Sequence, residues 1–282
     1  MAVTQGPGLI GSLLVGLCFG KSVAYALKVP VVAVDHLEGH IRACYVERDS
    51  PIPHPAVALL VSGGHTSLYV MEEEARYRLV GRTRDDAAGE AYDKVAKRLG
   101  LGYPGGPVID KLAARGREDA YPLPIAKISD GSDDFSFSGL KTAVLRVVAE
   151  HGIAPVSPGS DPFLRQDVLD LAASFQKAAV GALLTVTARV LRRNPARALL
   201  VSGGVAANSR LRHEARALGD ALGIEVVFPS LALSTDNAAM IAAAGYLKYV
   251  RGEFSGLDLD ANVELRLGAP SATSGWRSRR HR

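Results

Sequence analysis

Cysteine is scarce in this chain of 282 residues, and charge is missing from its start. The two cysteines, Cys18 and Cys44, cannot build a disulfide framework and read as buried thiols of a reducing cytoplasm. Neither belongs to a CxxC pair, which removes a cysteine-based zinc or redox site. Met1 to Gly20 holds no charged residue. A signal peptide needs a positive segment before its apolar run, and none is present. A membrane span needs about twenty predominantly apolar residues. The run Leu9–Phe19 is shorter and is interrupted by glycine, so it reads as a buried helix whose Gly11, Gly16 and Gly20 admit neighbouring backbone. Termini normally lie at the surface, so a buried first segment implies that something precedes it. The chain also lacks a Walker-type lysine motif, which argues against a P-loop.

At about 150 residues per domain, the length suggests two domains or one large one. With 48% hydrophobic and 22% charged residues, the chain has the composition of an ordinary globular protein. The net charge is 33 − 29 = +4. Arg277, Arg279, Arg280 and Arg282 account for all of it, so the body of the chain is neutral and the basic excess belongs to a tail. Beyond Gly268 the composition turns to Pro, Ser, Thr, Gly and Arg and reads as disordered.

Short β-branched runs alternate with helical patterns, which gives an α/β class. Strands are expected at Val29–Val34, Ala56–Val61, Ala198–Val201 and Glu225–Phe228. Helices are expected from His36 to Cys44 with Asp35 as cap, from Asp85 to Gly100 with Asp85 or Asp86 at its start, and over Gln166–Arg193, Asn208–Leu222 and Asp236–Val250. Tyr103–Pro107 and Ile153–Asp161 read as loops. The string LLVSGG occurs twice, at Leu59–Gly64 and Leu199–Gly204. Each copy is a buried strand delivering a Ser-Gly-Gly turn, which suggests two similar lobes offering glycine turns to a shared cleft. Such turns expose successive N–H groups that suit phosphate oxygens.

His36 and His40 form an H-x-x-x-H pair, which a helix presents on one face to one metal ion. The alternative is a pair of surface or capping histidines. A zinc-protease motif needs Glu directly after the first His, where Leu37 stands. Glu38 is turned about 100° further around the helix and is no substitute. Asp236 is either an N-cap or a third, oxygen ligand. Asp93 either bridges to Lys97 on the helix surface or has a functional role. Asp110 is either a surface acid or functional, and Asn208 a helix cap or functional. Phe135–Thr142 (FSFSGLKT) is a packed loop or a nucleic-acid contact. Lys94, Lys97 and Arg98 form either a solvated helix face or a local RNA patch.

The strings VDHLEGH (Val34–His40), LVSGGHTS (Leu60–Ser67), DDAAGEAYDKVAKRLGLGYPGGP (Asp85–Pro107), FSFSGLKT (Phe135–Thr142), VSGGVAAN (Val201–Asn208) and STDNAAMIA (Ser234–Ala242) resemble the bacterial TsaD family in sequence and order. The resemblance implies the fold of actin, sugar kinases and Hsp70-type ATPases, with two lobes around a nucleotide cleft. It implies an acyltransferase that moves a threonylcarbamoyl group from threonylcarbamoyl-AMP to N6 of adenosine 37 in tRNAs reading codons that begin with A. It further implies a metal, ferrous iron with zinc as the alternative, on His36, His40 and Asp236. Substrate contacts are implied at Leu60, Val61, Ser62, Gly63, Gly64, Asp93, Gly106, Asp110 and Asn208. Implied partners are tRNA and homologues of TsaB and TsaE, in the cytoplasm and away from membranes. The expected layout is an N-terminal lobe over residues 1–110, a C-terminal lobe with a helical insert over 111–267, and a basic tail over 268–282. Family members open with a strand and an acidic Thr/Ser-rich loop facing the nucleotide, which this chain lacks. The expectation is therefore an incomplete first lobe that leaves strand edges and an apolar helix exposed. An endopeptidase or an inactive truncated scaffold are the competing readings.

Overall fold

A computed structural model describes residues 1–126 and 128–268. The chain begins with β1 (Ala2–Gly6), α1 (Ile10–Leu27), β2 (Val32–Asp35) and α2 (His36–Arg42). A hairpin and its neighbour follow as β3 (Ala56–Val61), β4 (Thr66–Met71) and β5 (Tyr77–Arg82). Four helices come next: α3 (Ala88–Arg98), α4 (Gly105–Ala113), α5 (Ser138–Glu150) and α6 (Gln166–Arg193). The chain then forms β6 (Ala198–Ser202), α7 (Ser209–Leu222), β7 (Glu225–Val227), α8 (Leu231–Ser234) and α9 (Ala238–Val250).

The strands form two sheets. β1 and β2 pair in parallel, and β5-β4-β3-β6-β7 form a mixed five-stranded sheet. β3 is buried at all six positions because both faces are covered. Alternate side chains serve different cores. Val57, Leu59 and Val61 pack with α3, α5 and α6, while Ala56, Ala58 and Leu60 pack with Leu37 and Ile41 of α2. A continuous apolar run is therefore what this central strand requires.

The two LLVSGG strings are corrected in placement. They lie on adjacent strands of one sheet, paired in parallel with Leu59 opposite Val201 and Leu60 opposite Ser202. Their glycine turns leave the same sheet edge side by side, not from facing halves. Gly203 has φ +89°, and a Cβ there would meet Val61 O at 2.4 Å, so this position needs glycine. Residue 110, the expected lobe boundary, falls inside α4, and the five-stranded sheet draws strands from both sides of it.

α1 departs from the expected buried helix. Only Leu13, Leu17, Gly20 and Ala24 are buried, one stripe at helical spacing. Gly20 admits Val3 of β1, whereas Gly11 and Gly16 face open space. Leu9, Val15, Phe19 and Tyr25 are exposed. The apolar helix is thus uncovered on its far side by the described residues, and Cys18 on it is exposed, not buried as expected, whereas Cys44 is buried. α6 is less apolar, yet it is wrapped by the sheet and by α4 and α5.

Several boundaries also differ: β2 begins at Val32, α2 ends at Arg42, α7 begins at Ser209 and α9 at Ala238. α3 starts at Ala88, whose N–H donates to Thr66 Oγ1 (2.9 Å). Asp85 instead accepts from Phe137 N (2.8 Å), and Asp86 lies between Lys94 (2.6 Å) and Lys141 (2.7 Å). The Tyr103–Pro107 loop is in part the first turn of α4. Gly105 and Pro107 are tolerated there because first-turn N–H groups have no intrahelical acceptor. Phe135 and Phe137 are buried in the main core, so FSFSGLKT is a packed segment leading into α5. The basic tail lies outside the described residues apart from Gly268.

Candidate functional site

β2 runs directly into α2. The Asp35 carboxylate accepts from Leu37 N (2.7 Å) and Glu38 N (3.3 Å), which fixes the helix start and sets His36 and His40 one turn apart. A Cβ at Gly39 would meet Ile241 of α9 at 2.8 Å, so α2 packs closely on α9. That approach brings the α8–α9 junction over the histidines. Asn237, not Asp236, caps α9 by accepting from Met240 N (2.8 Å). The Asp236 carboxylate is free to face the imidazoles, with Oδ1 3.1 Å from His40 Nε2 and 3.6 Å from His36 Nε2. The rings sit edge to face with centroids 4.7 Å apart.

The ligand atoms of His36, His40 and Asp236 lie within 4.8 Å of one another, the one such three-residue group among the described residues. His40 is 1% exposed, and neither ring nitrogen has a hydrogen-bond partner, Asp236 being an ionic neighbour of Nε2 only. Buried polar groups are normally satisfied, so an imidazole orphaned beside a carboxylate fits a metal ion. Burial lowers the His36 pKa, reinforced by His40, which favours the neutral form that binds metal. Contact with His40 holds Asp236 below the ordinary carboxylate range. Glu38 is buried, its pKa raised by that burial. It faces Lys248 at 3.6 Å and stands apart from the cluster, which removes the endopeptidase arrangement.

The cluster opens on a cavity of about 1060 Å3, bounded by Ser62, Gly63, Gly64 and His65 on one side and by Leu9, just before α1, and Phe19 of α1 on another. Ser62 N donates to His65 O (2.8 Å) and His65 N to Ser62 Oγ (3.1 Å), closing the turn. The N–H groups of Gly63 and Gly64 meet no acceptor among the described residues, and the space where a Cβ would lie is open. Leu60 and Val61 point into separate cores, so only their backbone is available to a ligand. His65, not identified from sequence, lines the same cavity. Burial lowers its pKa, with His40 adding to the effect. Its place directly after the glycine turn was the available signal.

Asp93, Gly106, Asp110 and Asn208 come together elsewhere, where α3, α4, α6 and α7 meet, and none of them lines that cavity. Asp93 does not pair with Lys97; its Oδ1 accepts from Gly105 N (2.8 Å). Asp110 accepts from Ser209 N (3.1 Å), Ser209 Oγ (2.8 Å) and Gln176 Nε2 (3.0 Å). Asn208 caps α7 by accepting from Leu211 N (2.9 Å) and donates to Gln176 Oε1 (2.8 Å). Gln176, a polar residue inside the apolar α6, was not singled out from sequence. Beside this network the space above Gly106 is empty.

A sequence model of the family described as TsaD, tRNA N6-adenosine threonylcarbamoyltransferase, matches residues 1–243. The chain belongs to the TsaD family. The tRNA N6-adenosine threonylcarbamoyltransferase of Thermodesulfovibrio yellowstonii is 51% identical over 267 residues, covering 95% of this chain and 78% of that protein. The protein of the same name from Koribacter versatilis is 47% identical over 302 residues, covering 95% of this chain and 79% of its own length. Among solved structures, T. kodakarensis HypF superposes with a TM-score of 0.62 at 14% identity, over 86% of this chain and 40% of that one. Full-length HypF in its phosphate- and nucleotide-bound form gives 0.58 at 14% identity, over 83% and 38%. These likenesses concern the fold, which is of the actin, sugar-kinase and Hsp70 type.

Proposed function

We propose that this TsaD chain forms threonylcarbamoyladenosine in tRNA, with threonylcarbamoyl-AMP as donor and His36, His40 and Asp236 as the ligands of a ferrous ion. The observation that carries the metal assignment is the pair of orphaned nitrogens on buried His40, beside Asp236. A metal held there supplies Lewis acidity to the carbonyl of the threonylcarbamoyl group. The chain's own residues supply position. The free N–H groups of Gly63 and Gly64 bind the AMP phosphate, on a turn that the paired backbone of Leu60, Val61 and Ser62 holds in place. Asp93, Gly106, Asp110 and Asn208 hold the ribose and base. Attack by the adenosine N6 amine forms the new C–N bond, breaks the bond between the carbonyl and AMP, and releases the N6 proton. Neutral N6 is a weak nucleophile, so orientation supplies most of the acceleration.

TsaB and TsaE homologues are the proposed protein partners. We place the enzyme in the cytoplasm, where the free thiols of Cys18 and Cys44 remain reduced. The test is formation of the modified nucleoside in unmodified tRNA supplied with threonylcarbamoyl-AMP, the two partners and iron, read by mass spectrometry. The expected result is product from the wild type and none from Asp236→Ala. Equal product from both would contradict the assignment.

A further inference from the structure

A second cleft, of about 330 Å3, lies between the Ala43–Tyr45 turn with the residues after it, α7, and the segment following β7. Its cationic wall is unusual. Arg212 and Arg216 sit one turn apart on α7, and both guanidinium groups lie over the Phe228 ring, 4.8 and 5.3 Å from its centroid. At the rim, Arg48 is neutralised by Glu225 (2.8 Å), and Glu47 accepts from Ser230 Oγ (3.1 Å). Among the described residues neither Arg212 nor Arg216 has a carboxylate partner.

Arg212 is held rigidly. Its Nε donates to Ala206 O (2.7 Å), and its Nη2 to Pro229 O (2.7 Å) and Ser234 Oγ (3.4 Å). Three of its five N–H bonds are so used, and both on Nη1 remain. Burial and the neighbouring Arg216 both work against the charge on Arg212, lowering its pKa. Two guanidinium groups side by side repel, and half-burial strengthens the repulsion. An anion between them removes that cost. A planar fork fixed in place suits phosphate oxygens, and the cleft has room for a phosphate group together with the atoms attached to it.

We propose that this cleft binds a phosphate group, gripped by the free Nη1 edge of Arg212 and by Arg216. The phosphate is either one of the RNA backbone or a free phosphate group. The same guanidinium holds Ser234, two residues before Asp236, so the cleft backs onto the loop that delivers the proposed metal ligand. The RNA source rests on the proposed tRNA substrate, whereas binding of free phosphate does not.

The test uses the full chain as wild type, Arg216→Ala and Arg212→Gln. One arm titrates inorganic phosphate by calorimetry. The other measures binding of an unmodified tRNA transcript across a salt series. Arg216 is exposed and makes no hydrogen bond within the described residues, so its variant preserves the fold even where loss of the Arg212 tethers does not. The expected result is phosphate binding by the wild type that weakens at least tenfold in Arg216→Ala. An RNA source also lowers the salt slope of tRNA binding by about one in that variant. A free-phosphate source leaves the slope unchanged. Wild type and Arg216→Ala alike in both arms overturns the proposal. A wild type that takes phosphate but no tRNA sinks the tRNA reading and leaves the cleft standing.

Discussion

The histidine corner and the Asp110–Asn208 network differ in how their polar groups are satisfied. In the corner, His40 is buried with both nitrogens unpartnered, and Asp236 faces it without closing a hydrogen bond. In the network, every polar group on Asn208 meets a protein partner, and Asp110 accepts from both Ser209 and Gln176. The first region is incomplete by itself and asks for a ligand. The second is complete, so a ligand there must either add to a finished framework or use the open space over Gly106. Removing a side chain from the first region should therefore cost function and little stability, while in the second it should cost stability first.

The largest expected effect is from His40→Ala. It breaks no hydrogen bond, yet it removes a proposed metal ligand, so activity on tRNA is expected to fall by more than about 100-fold, beyond what outer-shell losses give. Urea unfolding of the metal-free protein should lose less than for Asn208→Ala. The second effect is that Asn208→Ala itself. It removes a helix cap and leaves Gln176 short of a partner, for a loss of about 2 kcal/mol in urea unfolding. An unchanged midpoint would mean that the network is ornamental. The third is Gly64→Val. Its Cβ enters open space, so stability should hold within about 0.5 kcal/mol, while KM for threonylcarbamoyl-AMP rises about tenfold. A normal KM would take the phosphate away from this turn. The smallest is Asp93→Asn, which retains an oxygen for Gly105 N. Thermal stability should be unchanged, and any fall in activity would then report a direct role in binding.

Much of this was legible in the sequence for physical reasons. The run Ala56–Val61 could only be a strand buried on both faces, and α6 occupies the residues its periodicity indicated. Asp35 caps α2 as its type and place predict, which carries the His36–His40 pairing with it. Asp236 fits a cap or a ligand by its type and place; Asn237 takes the cap, which leaves the Asp236 carboxylate facing the histidines. β4 and β5 are not announced by the sequence, because the glycines of Ser62–Gly64 suit a strand-to-helix turn or a phosphate nest as well as a hairpin. The same turn is closed by Ser62 and His65 into a hairpin between β3 and β4.

Other features depend on long-range neighbours. Adjacent pairing of β3 and β6 cannot be read from two identical strings 140 positions apart, since a repeat fixes local form and not strand order. α1 and α6 both carry long apolar stretches, and their burial differs because α6 meets a sheet and other helices while α1 meets β1 and the segment at Leu259–Ala261 along one stripe. The network of Asp110, Gln176 and Asn208 joins three helices, and no spacing along the chain announces it.

The central claim is that His36, His40 and Asp236 together hold one metal ion. It is tested most directly by the metal content of the purified protein, measured by elemental mass spectrometry for the wild type and for His36→Ala, His40→Ala and Asp236→Ala. The account predicts close to one iron per wild-type chain and loss of the metal in each variant. Metal content unchanged in all three would contradict it.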